Sequence, residues 1–437
     1  MKCGVITPTQ HTPLFLMPPS ASSLTSHDDE VDFSPHSQSI PNGGLKAWSQ
    51  VFAAFLIYFN IWGFTNTFGA YQTYYEQIWP DKSSSTIAWI GSIQTFLLYS
   101  LGMITGPIFD MGYYRYLEAG GFVLLIVGIM MTSLCTEYWQ AMLAQGLCVG
   151  LGTGMLYIPC ATIPATYFTT KRPFTAGLAS MGSSIGATIY SIVFHKLEPR
   201  VGFKMATQAI GYIALGTLAI ALAILHARVK STTPRSLKTF MAFTEPPFAV
   251  YAWSIFFFFM GMYIPFFYIS SYAIEKVKLN AEMGFYMITI LNAGSVLGRV
   301  IPNYIASHIG TFNVTIPSAL VAMILAFVWL AIDNLGGLIV FGILFGMTSG
   351  TYVSMMSATV ASISDDIRLL GGRIGLIFLS GGIGVLIGNP IAGVLIDRQD
   401  GSYWKMQLFC AILLVVATCL AFVARWLLVK NTLWVRV

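Results

Sequence analysis

The chain has 437 residues, of which 56% are hydrophobic and only 9% charged, with a formal net charge of +5. A soluble domain carries about 25% charged residues, so this chain cannot cover itself with polar surface and its solvent is expected to be lipid. No basic run interleaved with aromatics points to nucleic acid, and the six cysteines show no paired spacing for disulfides or zinc. With no HExxH and no GxxxxGK[ST] pattern, neither an enzyme nor a cofactor is expected, and an ATP-driven pump is unsupported.

Residues 1–46 are polar and rich in Ser, Pro and Thr, with an acidic patch at Asp28, Asp29, Glu30 and Asp32. The opening MKCGVITPTQ lacks the apolar core of a signal peptide, and the segment reads as a disordered cytosolic tail. Apolar windows long enough to cross a bilayer as helices then follow near 47–74, 86–109, 117–135, 138–164, 174–194 and 205–227. A basic, Pro-punctuated loop over 228–247 divides these six from six more near 248–273, 283–306, 314–332, 338–363, 374–396 and 404–429, and 431–437 form a short tail. The expected domains are therefore 47–227 and 248–430, two six-helix bundles of an all-α membrane protein with twelve transmembrane helices. With the N-terminus inside, the inner segments hold 13 Lys and Arg against 8 outside, which places both termini in the cytosol by the positive-inside rule.

The two halves echo one another. Gly102 and Gly106 match Gly294 and Gly298; GLGTGMLY ending at Tyr157 matches FGMTSGTY ending at Tyr352; Gly177 to Gly186 match Gly375 to Gly384. The offsets are 192, 195 and 198. Pseudo-symmetric six-helix halves are the architecture of transporters whose site lies between the halves near the midplane.

Arg299 is the one charge deep inside an apolar stretch. A cation there costs roughly 2.5–3.5 kcal/mol on insertion scales. Asn292, Ser295, Arg299 and Asn303 follow at spacings of three, four and four and share one helix face. Such a face points into protein or a watery cavity. No acid lies at comparable depth, so an anionic substrate is one candidate counter-ion, since a guanidinium fork suits a carboxylate. A structural role, bonding carbonyls and water, is the other. Asn60 in the first span reads equally well as a helix-to-helix hydrogen bond.

Gly106-Pro107-Ile108-Phe109-Asp110 with Arg115 after the second span, together with twelve spans and a basic central loop, resembles the major facilitator superfamily. More narrowly, Asn42-Gly43-Gly44, Ala47-Trp48 and Phe52 to Phe55 resemble the monocarboxylate transporter family. Phe68-Gly69, Tyr71, Tyr74-Tyr75, Arg373-Ile374-Gly375 and Gly388-Asn389-Pro390 resemble its fungal branch. The resemblance covers residues 41–430. It implies that the first, fourth, seventh and tenth spans line a cavity, which marks Asn66, Tyr157, Tyr263, Phe267 and Tyr352 beside Arg299, Asn292 and Ser295 as candidate substrate-binding residues. Asp110 with Arg115 would be a cytosolic gate contact. In animal members the arginine of the eighth span pairs with an aspartate four residues earlier, and a lysine of the first span takes part in proton coupling. Here those positions are Ser295 and Asn66, so proton symport by that scheme is not expected.

The expected function is secondary transport of a small organic anion, monocarboxylate-like or a carboxylated metabolite, by alternating access across the plasma membrane rather than an internal one. The alternative is export or facilitation of a neutral or bulky metabolite with Arg299 structural. The expected partners are the lipid bilayer and a small, anionic substrate, with no nucleic acid.

Overall fold

The structure, a computed structural model, describes residues 43–168, 172–227, 237–364, 370–397 and 402–429. The tail expected before residue 43, residues 228–236 of the central loop and the segment 431–437 lie outside the described residues. In hydrocarbon no water can pair a backbone N–H or C=O, so every apolar run must satisfy its own polar groups. The described residues accordingly fold into helices, with no strand among them.

Eleven of these helices are long and apolar enough to cross a bilayer. One, Arg172–Ile224, runs for 53 residues and contains Pro199 and a non-helical Gly202 at φ 81°. Glycine takes that left-handed conformation without steric cost, and the proline removes a helical donor, so the run breaks into two crossings. Twelve spans result: α1 Leu45–Ile78 and α2 84–110, broken at Thr67 and Leu101 respectively, α3 Tyr114–Thr132, α4 Tyr138–Thr162, α5 172–201, α6 203–224, α7 Pro246–Glu275, α8 Ala281–Ile309, α9 Phe312–Trp329, α10 Leu335–Ile363, α11 Leu370–Asp397 and α12 Trp404–Val429. These bounds follow the apolar windows of the sequence to within a few residues, except that α5 continues to the Gly202 break. Caps mark several starts: the side chains of Ser83, Asn280 and Asn334 accept from the backbone of Thr86, Met283 and Gly337. In α1, Thr67 returns its hydroxyl to Gly63 O at 2.8 Å, back-bonding of the kind that bends helices.

Lipid supplies no hydrophobic drive for helix association, so close van der Waals contact must do it. Glycines provide the contact at matching places in both halves. A Cβ at Gly182 or Gly186 of α5 would overlap the backbone carbonyls of Phe55 or Phe59 of α1. At Gly384 or Gly388 of α11 it would overlap those of Phe256 or Met260 of α7. A second pair of contacts joins α4 to α2 through Gly150 and Gly154, and α10 to α8 through Gly346 and Gly350. The structural equivalence in α5 and α11 is Gly182 with Gly384, an offset of 202, one helical turn beyond the 198 expected from sequence. Pairing glycine with glycine aligns composition, whereas pairing contacts aligns the faces that meet.

Gly186→Val and Gly388→Val are each expected to destabilise the bundle by about 1–3 kcal/mol through overpacking. The thermal midpoint of the detergent-solubilised chain checks this; midpoints unchanged in both would show that these helices can part without cost.

Candidate functional site

Between the halves, Asn66 of α1 meets Met262, Tyr263 and Phe266 of α7, Ser295 and Arg299 of α8, and Ser349, Gly350 and Val353 of α10 around a small cavity. Its free volume of about 10 Å³ is room for one water and no more, so this arrangement is closed to any metabolite.

Arg299 is 6% exposed. Its Nε donates to Ser184 Oγ of α5 at 3.1 Å, and that hydroxyl lies 2.6 Å from Ser295 Oγ. The three side chains therefore tie α8 to α5 across the halves. Among the described residues no carboxylate lies within 4.0 Å of the guanidinium. Its electrostatic surroundings are instead the phenols of Tyr99, Tyr263, Tyr58 and Tyr157. One turn along, Asn303 donates to Arg299 O and to Ser354 Oγ of α10 at 2.9 Å.

Aromatic rings from both halves wall this region. Tyr99 and Tyr263 hydroxyls are 3.2 Å apart. Trp62 packs edge-on to Tyr99 at 4.9 Å between centroids, Tyr157 meets Phe378 at 5.3 Å, and Tyr99 stacks on Phe378 at 5.7 Å. Tyr99, Trp62 and Phe378 carried no cue in the sequence that distinguished them from packing aromatics. Only the convergence of α1, α2 and α11 at this depth shows their place.

The structure thus brings Asn66, Tyr263, Ser295 and Arg299 to one cavity and places Tyr157 in the ring cluster with Trp62 and Phe378. The other candidates stand apart. Asn292 is fully buried and donates to Ile288 O at 3.0 Å in its own helix. Phe267 packs on Phe68 at 4.7 Å in the α1–α7 seam. Tyr352 is fully buried in the C-terminal half, stacked on Phe258 with its hydroxyl 3.0 Å from Ser254 Oγ, so the repeat pairing of Tyr157 with Tyr352 does not carry over to their surroundings. Asn60 is a packing knot: it bonds Thr217 of α6 at 2.9 Å and accepts from Tyr190 of α5 at 2.6 Å.

The expected gate also changes. The Asp110 side chain lies outside the described residues. Arg115 reaches Glu118 Oε2 at 3.2 Å, Leu222 O at 3.2 Å and His226 Nδ1 at 2.7 Å, all in its own half. Its described contacts therefore brace α3 against the end of α6 and bridge no gap between halves. Glu118, an acid three residues after Arg115 on one helix face, was the signal for this.

The seam between the halves is graded. Where α2 meets α11, a Cβ at Gly393 would sit 2.5 Å from Ser85 N, at Gly382 3.1 Å from Tyr99 Cβ, and at Gly375 only near Met103 at 3.9 Å. Where α5 meets α8, contact runs from the Lys196–Glu282 ion pair at 2.7 Å, through Ser184–Ser295, to Gly177, whose Cβ would meet only Arg299 O at 3.8 Å. The halves are tight at the face away from residues 45 and 429, here called the far face, and loosen toward the face carrying those ends.

A sequence profile described as Major Facilitator Superfamily matches residues 51–365. The chain is 41% identical to an MFS-type transporter, dbaD, of Emericella nidulans, over 83% of this chain and 82% of that one. It is 34% identical to the aspyridones efflux protein apdF of the same organism, over 90% of this chain and 80% of that one. A crystal structure of a mutant of the nucleoside transporter NupG aligns with a TM-score of 0.69 at 14% identity, covering 87% of this chain and 99% of that one, a likeness of fold.

Tyr99→Phe and Tyr263→Phe are each expected to cost about 1 kcal/mol by leaving one buried hydroxyl without its partner, while the double variant costs no more than either single one. Thermal unfolding of the three variants tests this, and additive losses would show that the two hydroxyls do not bond.

Proposed function

The chain belongs to the Major Facilitator Superfamily, and from that premise we propose that it exports a bulky, largely apolar organic metabolite by alternating access. In this reading Arg299 holds the halves in register at the site. The observation that carries it is the make-up of the site: the guanidinium is already bonded across the seam to Ser184, and rings from α1, α2, α4, α7 and α11 form the surrounding wall. Such a wall suits a large apolar body, with a few polar groups to orient it. It is a poor match for a small monocarboxylate, whose hydration must be replaced by polar contacts. The efflux role in the name of apdF, 34% identical over 90% of this chain, supports the same direction.

The cavity volume requires the halves to separate before a metabolite can enter. The graded seam favours separation first at the face carrying residues 45 and 429, which the Lys and Arg bias assigns to the cytosol. Loading from the cytosol and release at the far face, across the plasma membrane, complete the proposed cycle. A second reading, anion carriage, keeps one observation in its favour: the terminal nitrogens of Arg299 make no hydrogen bond among the described residues.

Inside-out vesicles separate the two. Large aromatic metabolites are expected to accumulate in vesicles bearing the chain, and lactate and pyruvate are not. Arg299→Gln is expected to lower the transport rate about tenfold, 1.4 kcal/mol, with little change in KM. Lactate uptake whose KM rises in Arg299→Gln would overturn the export reading in favour of anion carriage. A complementary loss is expected in Trp62→Ala, with KM raised for the larger cargo.

A further inference from the structure

At the far face one acidic group belongs to both halves. Glu76, half-buried near the end of α1, accepts from Gln72 Nε2 at 2.7 Å in its own helix and from Ser271 Oγ of α7 at 2.8 Å. Gln72 also donates to Ser84 O at 3.2 Å, and Ser271 lies 3.4 Å from Thr73 Oγ1 of α1. One turn beyond Ser271, the exposed Glu275 accepts from Tyr403 Oη at 2.7 Å. Burial, then Glu275, then Glu76 push the Tyr403 phenol up, so both carboxylates act on that one group.

The cations of this face are engaged elsewhere or stand clear. Lys82 pairs with Asp81 at 2.7 Å, Lys196 pairs with Glu282, and Lys405 lies over the Trp404 ring. His195 stacks on Phe285. Lys276 and Lys278 follow Glu275 in sequence, Arg200 and Lys204 flank the α5–α6 break, and Glu198 adds a further acid near the end of α5. Among the described residues no Lys, Arg or His comes within 4.0 Å of Glu76 or Glu275; the Asp397 side chain and Arg398 lie outside them.

We propose that Glu76 is a proton-binding site built jointly by the two halves, so that closing the far face takes up a proton there and opening it releases one. A carboxylate walled by helices, bonded only to uncharged donors and facing a second carboxylate, is costlier charged than the same group hydrated in an open cleft. Closure creates that situation because it walls Glu76 off from water and brings up Glu275 from the opposite half, which together outweigh the hydrogen bond that Ser271 donates to the carboxylate. Linkage is reciprocal: if the closed form binds the proton better, acid in the far compartment favours the closed form. For a carrier that releases cargo at that face, such acid promotes the closing that resets it. The site rests on the alternating-access reading, under which the far face opens.

Spin labels at Val201→Cys and Ala331→Cys, exposed far-face positions in opposite halves, report the opening in the full chain with its six native cysteines replaced. In reconstituted protein the ratio of short to long distances is expected to rise on acidification, by up to about tenfold per pH unit, the ceiling for one proton. Glu76→Gln, which mimics the protonated carboxyl, is expected to hold the short distance at every pH, with a ratio constant within about twofold. Glu76→Asp restores a pH response, and Glu275→Gln weakens it. An undiminished pH response in Glu76→Gln overturns the proposal, as does a ratio unmoved by pH in the unsubstituted protein. In the latter case, distances that still shift with a transported metabolite leave alternating access standing and remove only the proton site, whereas distances that shift with neither remove both.

Discussion

Backbone-to-backbone approach through glycine is the contact on which the remaining architecture depends. In lipid, an apolar side chain gains nothing by turning inward, so helices join only where their surfaces come close enough for dispersion and short polar contacts. Gly182 and Gly186 let α5 lie on α1, and Gly384 and Gly388 let α11 lie on α7. Each half becomes a firm body, and what remains adjustable is the seam between the two. That division of stiffness is what a carrier with a site between its halves requires.

Arg299 occupies that seam. A buried cation with no acidic partner close by is tolerable only with polar company, and here the company is a serine from the opposite half, its neighbouring Ser295 and a surround of phenols. The same contacts that make the charge tolerable also make it sensitive to separation, because Ser184 and Arg299 belong to bodies that move apart under alternating access. In the proposed cycle, an arginine in this position would couple the state of the site to the state of the seam.

The grading of that seam gives the closed site a direction. Tight backbone contacts at Gly393 and the ion pair at Lys196 lie at one face, and open space beside Gly177 and Gly375 at the other. A cavity the size of one water sits between, so neither face is connected to it as it stands. Moving the halves apart at the looser face breaks fewer contacts than at the tighter one, which is why loading is assigned there.

Much of this was legible in the amino-acid order alone. Continuous apolar runs bounded by Pro, Gly and charge determined twelve helices, because in hydrocarbon the backbone has no other way to pair its polar groups. A break was expected between the windows ending at 194 and starting at 205, and the structure places it at Gly202, whose φ of 81° ends the helix, whereas prolines such as Pro265 and Pro302 lie inside theirs. Arg299 and Ser295 announced themselves by polarity on one face of an apolar helix. Aromatics were the opposite case. Phe267 and Tyr352 looked like Tyr263 in composition and spacing, yet one fills the α1–α7 seam and another the core of one half, while Tyr99, Trp62 and Phe378 reach the site unannounced. Helical periodicity tells which residues share a face, but in lipid both packed and exposed faces are apolar, so it does not tell which neighbour that face meets. Only the tertiary arrangement decided which rings gather beside the cavity, that Arg115 braces its own half, and that Glu76 meets Ser271 across the seam. Each of these depends on contacts between segments far apart in the chain, and those are set by the packing of whole helices.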